Sequence, residues 1–174
     1  MKNVLKSFVL IVAVLFSVNS YAQKAKTALE LNDQLASITD SLYARGQEWG
    51  TQFNTLMNGS KDFKTLAKYR MGIEKFIDRK LVEVRGTKDI NGSGELREAM
   101  INFLQFEKHM IQVGFTPAEK LTTSATDEQV QAVITKLTEE SKNESSVLEK
   151  VRSAQEAYAK KNGFSIETDK TAEE

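Results

Sequence analysis

Cysteine is absent from all 174 residues, proline occurs once, at Pro117, and histidine once, at His109. Without cysteine no disulfide can form, so the chain must hold itself together by its core alone. The bacterial lipoprotein route to a membrane anchor, which needs a cysteine just after the export signal, is excluded too. A single histidine rules out a diiron bundle, which needs two Glu-x-x-His motifs. Haem attachment through Cys-x-x-Cys-His is likewise impossible. Nothing favours a noncovalent haem held by His109 and a methionine such as Met71, and His109 reads as a packing residue. No Gly-x-Ser-x-Gly elbow, phosphate loop or zinc-binding helix motif occurs. The expectation is a non-enzymatic protein without a cofactor.

Charge of one sign is also lacking: 24 Lys and Arg face 24 Asp and Glu. Setting aside Lys2 and Lys6, in the leading segment, leaves the balance near neutral. With no basic cluster along the chain, nucleic acid is not expected as a partner, because phosphate binding needs concentrated positive surface. Nor is attraction to anionic lipid expected.

What the sequence does have begins with MKNVLKSFVLIVAVLFSVNSYAQ. A positive start is followed by the apolar run Phe8 to Phe16, then by Ser20-Tyr21-Ala22, the small-x-small pattern of a cleavage site. The run is shorter than the ~20 residues a spanning helix needs. Residues 1–22 are therefore expected to be a cleaved signal peptide, with 23–166 a single domain long enough for its own core. The closing TDKTAEE reads as a solvated tail, so 167–174 is set apart as flexible.

Helical periodicity dominates the domain, and no strand-like alternation stands out. Leu31, Leu35, Ile38 and Leu42 mark a first apolar face, which Trp49, Phe53 and Leu56 continue beyond an interruption at Gly46. Asn58-Gly59-Ser60 is read as its end, with Gly59 in a left-handed C-cap and Ser60 capping the next helix. That helix carries Leu66, Ile73, Phe76, Ile77, Leu81 and Val84. A third places Leu96, Ala99, Phe103, Phe106, Met110 and Val113 on a stripe broadened by Met100, Leu104 and Ile111. Thr116-Pro117-Ala118-Glu119 reads as a short capped turn, with Thr126 and Gln129 as a capping box for the last long helix. Val130, Ile134, Leu137, Leu148, Val151 and Tyr158 mark its inner face, and Asn162-Gly163 closes it. Four amphipathic helices, three joined by short loops, predict an all-α, up-down-up-down four-helix bundle with one extra helical turn before the last helix.

Few stretches suggest chemistry. Gly46 and Gly50 flank Trp49, although each glycine costs a helix interior about 1 kcal/mol. Four residues apart, they remove bulk from one face. The favoured reading is a notch filled by a bulky neighbour; the other is a small ligand pocket floored by Trp49. Glu144 falls at an inward heptad position beside Ser141 and Ser145, as a polar layer that fixes register or lines a cavity. The loop DINGSGELREAM places Asp89, Asn91 and Ser93 at the first three ligand positions of a calcium loop. The twelfth position is Met100 instead of the closing glutamate, so no metal is expected there. Asn-x-Ser triplets begin at Asn58, Asn91 and Asn143, and matter only in a host that glycosylates exported proteins.

The run NFLQFEKHM in the third helix, with the closing AQEAYAKKNGFSIE, resembles a family of exported, all-helical bacterial surface proteins of unknown function. The resemblance implies a single helical-bundle domain in the bacterial envelope, periplasmic or at the cell surface, and supplies no catalytic residues. The expected function is a binding or structural module whose partner is an envelope protein or other envelope component. That partner would be met through a helix face or through loops 86–94 and 114–126. The alternative is a bundle holding a small apolar ligand or cofactor between its helices near Trp49, with Gly46, Gly50 and Glu144 as the other pocket residues. Heptad-like seams can also pair chains, which leaves room for a homo-oligomer.

Overall fold

The computed structural model describes residue 25 and residues 27–166. The expected signal peptide and C-terminal tail lie outside the described residues. Within them the chain forms α1 (Ala28–Met57), a 3-10 turn (Phe63–Leu66), α2 (Ala67–Gly86) and α3 (Gly94–Met110). A π-helical segment (Ile111–Phe115), the short α4 (Thr116–Glu119) and the long α5 (Asp127–Asn162) follow. No strand occurs among the described residues, and α1, α2, α3 and α5 pack as a four-helix bundle.

Contacts between helix ends set the up-down-up-down order. Gln34, near the start of α1, donates to Glu83 near the end of α2 at 2.6 Å. Asn32 meets Gln155 near the end of α5 at 3.5 Å. The Tyr158 hydroxyl, also late in α5, donates to the Ile90 carbonyl just before α3 at 2.8 Å. One end of the bundle therefore gathers the start of α1, the α2–α3 loop and the end of α5. The most extensive packing is between α3 and α5, followed by α2 with α3.

The apolar periodicity becomes one continuous core. Leu31, Leu35, Ile38, Leu42, Trp49 and Phe53 of α1 are buried, as are Ile73, Phe76, Ile77, Leu81 and Val84 of α2. In α3 the residues that broaden the stripe, Met100 and Leu104, are wholly covered, whereas Ala99 and Phe106 are half-buried. Capping boxes open both long helices: Thr27 with Glu30 for α1, and Thr126 with Gln129 for α5. Gly163 ends α5 at φ 72°, the left-handed conformation for which glycine carries no Cβ penalty.

Two helix boundaries differ from the sequence reading. Gly59 is not left-handed; α1 ends at Asn58 in αR conformation, and Lys61 takes the positive φ of 55°. Ser60 caps no α-helix. Its hydroxyl accepts from the Asp62 amide and shapes the approach to the 3-10 turn, whose Phe63 and Leu66 are buried. Burial of those two side chains fixes the chain path here, overriding the local cap signals. Nor does Thr116 begin a separate helix. The backbone stays in αR conformation through Ile111, Phe115 and Thr116, so α3, the π segment and α4 form one continuous run. Pro117 lacks an N–H to donate, and the wider π turn just before it accommodates that break in the ladder. Arg70 pairs with both Glu119 and Glu74, tying α4 to α2.

Candidate functional site

Trp49 is the centre of an aromatic stack. Its ring lies 4.1 Å from Phe115 with planes 10° apart, and 5.3 Å from Phe53 with planes 7° apart. The π segment delivers Phe115 to this position. Trp49 is 3% exposed, and its Nε1, although buried, has no hydrogen-bond partner among the described residues. Gly46 and Gly50 are half-buried. A Cβ at either would meet nothing within 4 Å, so the notch is not filled by a bulky neighbour. Filled packing therefore does not account for these two glycines.

Glu144 belongs to α5, and no hydrogen bond or ion pair joins it to Trp49 among the described residues. It is half-buried, and the group it is electrostatically coupled to is Glu107 of α3. Burial, then the Glu144 charge and the hydrogen bond to it, push the Glu107 carboxyl well above the ordinary 4.5. Burial also raises Glu144, opposed by its hydrogen bond from Glu107. The second Glu107 oxygen, Oε1, is buried with no partner. Four residues before Glu144, the covered Glu140 takes the Lys136 ammonium at 2.7 Å and the Asn143 amide at 3.2 Å. Those bonds, with charges including His109, hold its carboxyl below the ordinary value.

Sequence reasoning singled out Glu144 but not Glu107. The signal was available: Glu107 follows Met100 by seven residues and Leu104 by three, in phase with the most buried line of α3. Glu140 was missed because it precedes Glu144 by one turn and shares its face only in part.

The 89–93 loop is organised by its own hydrogen bonds. The Ser93 hydroxyl donates to Asp89 Oδ1 at 2.9 Å and accepts from the Ile90 amide at 3.1 Å. Asn91 and Gly92 adopt positive φ values of 51° and 80°. The loop thus brings Asp89 and Ser93 together as a turn. Among the described residues, no group of three or more His, Cys, Asp or Glu side chains is placed to hold a metal ion.

Two surface grooves lie between helices. One, of about 330 Å³, runs along the α3–α5 seam and is lined by Ala99, Asn102, Val147 and Ala154 with Glu95, Glu98 and Lys150 around it. The other, of about 290 Å³, lies between α1 and α2 and is lined by Arg45, Gly72, Lys75, Phe76 and Arg79. Folding gathers here cations that the sequence disperses. Arg45 sits 4.8 Å, Arg79 5.5 Å and Lys80 5.9 Å from the centre of the Phe76 ring. Lys80 is paired with Glu83, whereas Arg45, Lys75 and Arg79 enter no ion pair among the described residues. Beside them on α2, Met71 and Val82 are exposed apolar residues, 44% and 73% accessible. At 100° per residue, Met71, Lys75 and Val82 share one outward face.

No described helix is long and apolar enough to cross a membrane. No protein-family model, curated protein or solved structure matches the chain.

Proposed function

We propose that this protein is an exported, non-enzymatic binding or structural module of the bacterial envelope, which meets its partner on the outer surface of the bundle. The supporting observation is the α2 face. Unpaired Arg45, Lys75 and Arg79 ring the Phe76 groove, next to exposed Met71 and Val82. Exposed apolar side chains rimmed by charge are the usual composition of a protein contact surface, and arginine is over-represented there. The chemistry suits an acidic envelope protein or other acidic envelope component. The export part of this reading rests on the leading sequence, with cleavage before Gln23.

The test is recovery of the native protein from its own envelope by cross-linking, followed by native mass spectrometry. The expected result is a chain beginning at Gln23 and one recurrent acidic partner, lost in an Arg45→Glu, Lys75→Glu, Arg79→Glu variant that retains the native melting temperature. Undiminished capture by that variant sinks the α2 face as the contact. A chain retained in the cytoplasm sinks the envelope assignment.

A second reading has its own support. The unpartnered Trp49 Nε1 and the open space at Gly46 and Gly50 favour a small ligand carrying a hydrogen-bond acceptor. Quenching or shift of Trp49 emission on titration with small apolar acceptors is the expected signature. Unchanged emission across such a panel removes this reading.

A further inference from the structure

Folding sorts the balanced charge of this chain onto two flanks of the bundle. Helix α1 packs on α2 and α5, and α3 packs on the same two helices, so the α1–α2 and α3–α5 grooves open on opposite sides. On the first flank Arg45, Lys75 and Arg79 surround Phe76. On the other, Glu95 and Glu98 stand one turn apart on α3, beside the apolar lining of Ala99, Val147 and Ala154. Both carboxylates are exposed, and neither enters an ion pair among the described residues.

We propose that the basic α1–α2 groove of one copy docks on the acidic α3–α5 groove of the next, so that this protein assembles with itself head to tail. Resting on the reading of the α2 face as a contact surface, this assigns its acidic partner: a second copy of the chain. Charge complementarity of this kind steers the encounter and fixes register. Lys150, on the α5 side of the acidic groove, turns incoming cations toward the α3 wall. Its neighbours on α5 are engaged already, Glu149 and Glu156 both lying against Arg152 at 3.4 and 3.6 Å.

Exposed ion pairs alone contribute little, so apolar contact must accompany them. The basic side offers exposed Met71 and Val82 on α2, and the small side chains of Ala99 and Ala154 leave room on the acidic side. Nor does the chain repel its own copies, because 24 basic side chains balance 24 acidic ones. A contact between two unlike surfaces is heterologous: each added copy presents a fresh groove, and the assembly grows unless its rotation closes a ring.

Sedimentation velocity of the protein as its own cell makes it is the test. At low salt the native sedimentation coefficient should rise with concentration. It should return to the monomer value at about 1 M salt, where screening acts within about 3 Å. Two variants then separate the surfaces: Arg45→Glu with Arg79→Glu, and Glu95→Gln with Glu98→Gln. All four positions are exposed, and an unchanged melting temperature confirms each fold. Each variant alone should stay monomeric. Their equimolar mixture should form a dimer that does not grow, because it contains one intact pair of grooves. A native protein monomeric at every concentration overturns self-assembly, while leaving the α2 face to another acidic partner. Assembly that persists in either variant alone overturns the pairing, as does a mixture that stays monomeric while the native protein assembles. Failure of the α2 face itself shows separately, as cross-linked capture that its charge reversal does not diminish.

Discussion

Trp49 lies flat on Phe115, with ring centroids 4.1 Å apart, although 66 residues separate them along the chain. The contact joins the second half of α1 to the π segment, so the aromatic stack and the irregular turn depend on each other. Removing Phe115 takes away one face of the stack. Phe115→Ala should destabilise the protein by about 3–5 kcal/mol, the usual range for a buried phenylalanine. Urea melts followed at Trp49 check this, and native emission should shift to longer wavelength as the indole loses its cover.

Gly46→Ala and Gly50→Ala should each stabilise the protein by up to about 1 kcal/mol. Alanine has the better helix propensity, and the added methyl meets nothing within 4 Å. Thermal melts of the single and double variants give the answer. A loss of stability would mean that a neighbour does fill the notch.

Gly114 should behave in the opposite way. A Cβ there would stand 2.6 Å from Leu137 Cδ2 of α5, so that buried side chain would have to move. Gly114→Ala should cost about 1–2 kcal/mol, overpacking outweighing the gain in propensity. In a Leu137→Ala background the same change should become neutral or stabilising, a reversal that a double-mutant cycle reads directly.

Acid should weaken the fold through the Glu83 carboxylate. Burial pushes Glu83 up, but hydrogen bonds from Lys80 and Gln34, with the charges of Lys80 and Arg79, outweigh it and leave the carboxyl below 4.5. A lowered group contributes stability above its unfolded value, and that contribution is lost as pH falls through the folded one. Glu83→Gln should therefore lower the melting temperature near neutral pH and shrink the loss on acidification. A melting curve of unchanged pH dependence below 4.5 would remove Glu83 from the acid limb.

The sequence carried the bundle because its helical signals agree with one another. The heptad-like spacing of α1 and α2, the Thr126 capping box and Gly163 all act over one or two turns, and local geometry decides them. Lys61 and Phe63 were not legible in that way. The backbone there follows the burial of a side chain among distant residues, and the Asn-Gly-Ser sequence points to an ordinary turn. The continuous run through Thr116 hides for a similar reason: Thr-Pro-Ala-Glu is a good helix start, yet Phe115 stacking on Trp49 keeps the helix going. In the candidate sites, Glu144 was visible as a polar residue on an apolar face. Its partner Glu107 was concealed by the charged residues around it, and the cations around Phe76 come together only when α1 lies beside α2.

The contact between Asn32 and Gln155 spans 123 positions of the chain. Helix α5 supplies one wall of the bundle, and it leaves the ribosome after α1, α2 and α3. Until it arrives, α1, α2 and α3 can pair locally, but the sides of α1 and α3 that pack on α5 have no final cover. The closing step is thus a long-range encounter, slower to form than the local hairpins that precede it. A nascent chain therefore stays open along one flank until α5 has been made.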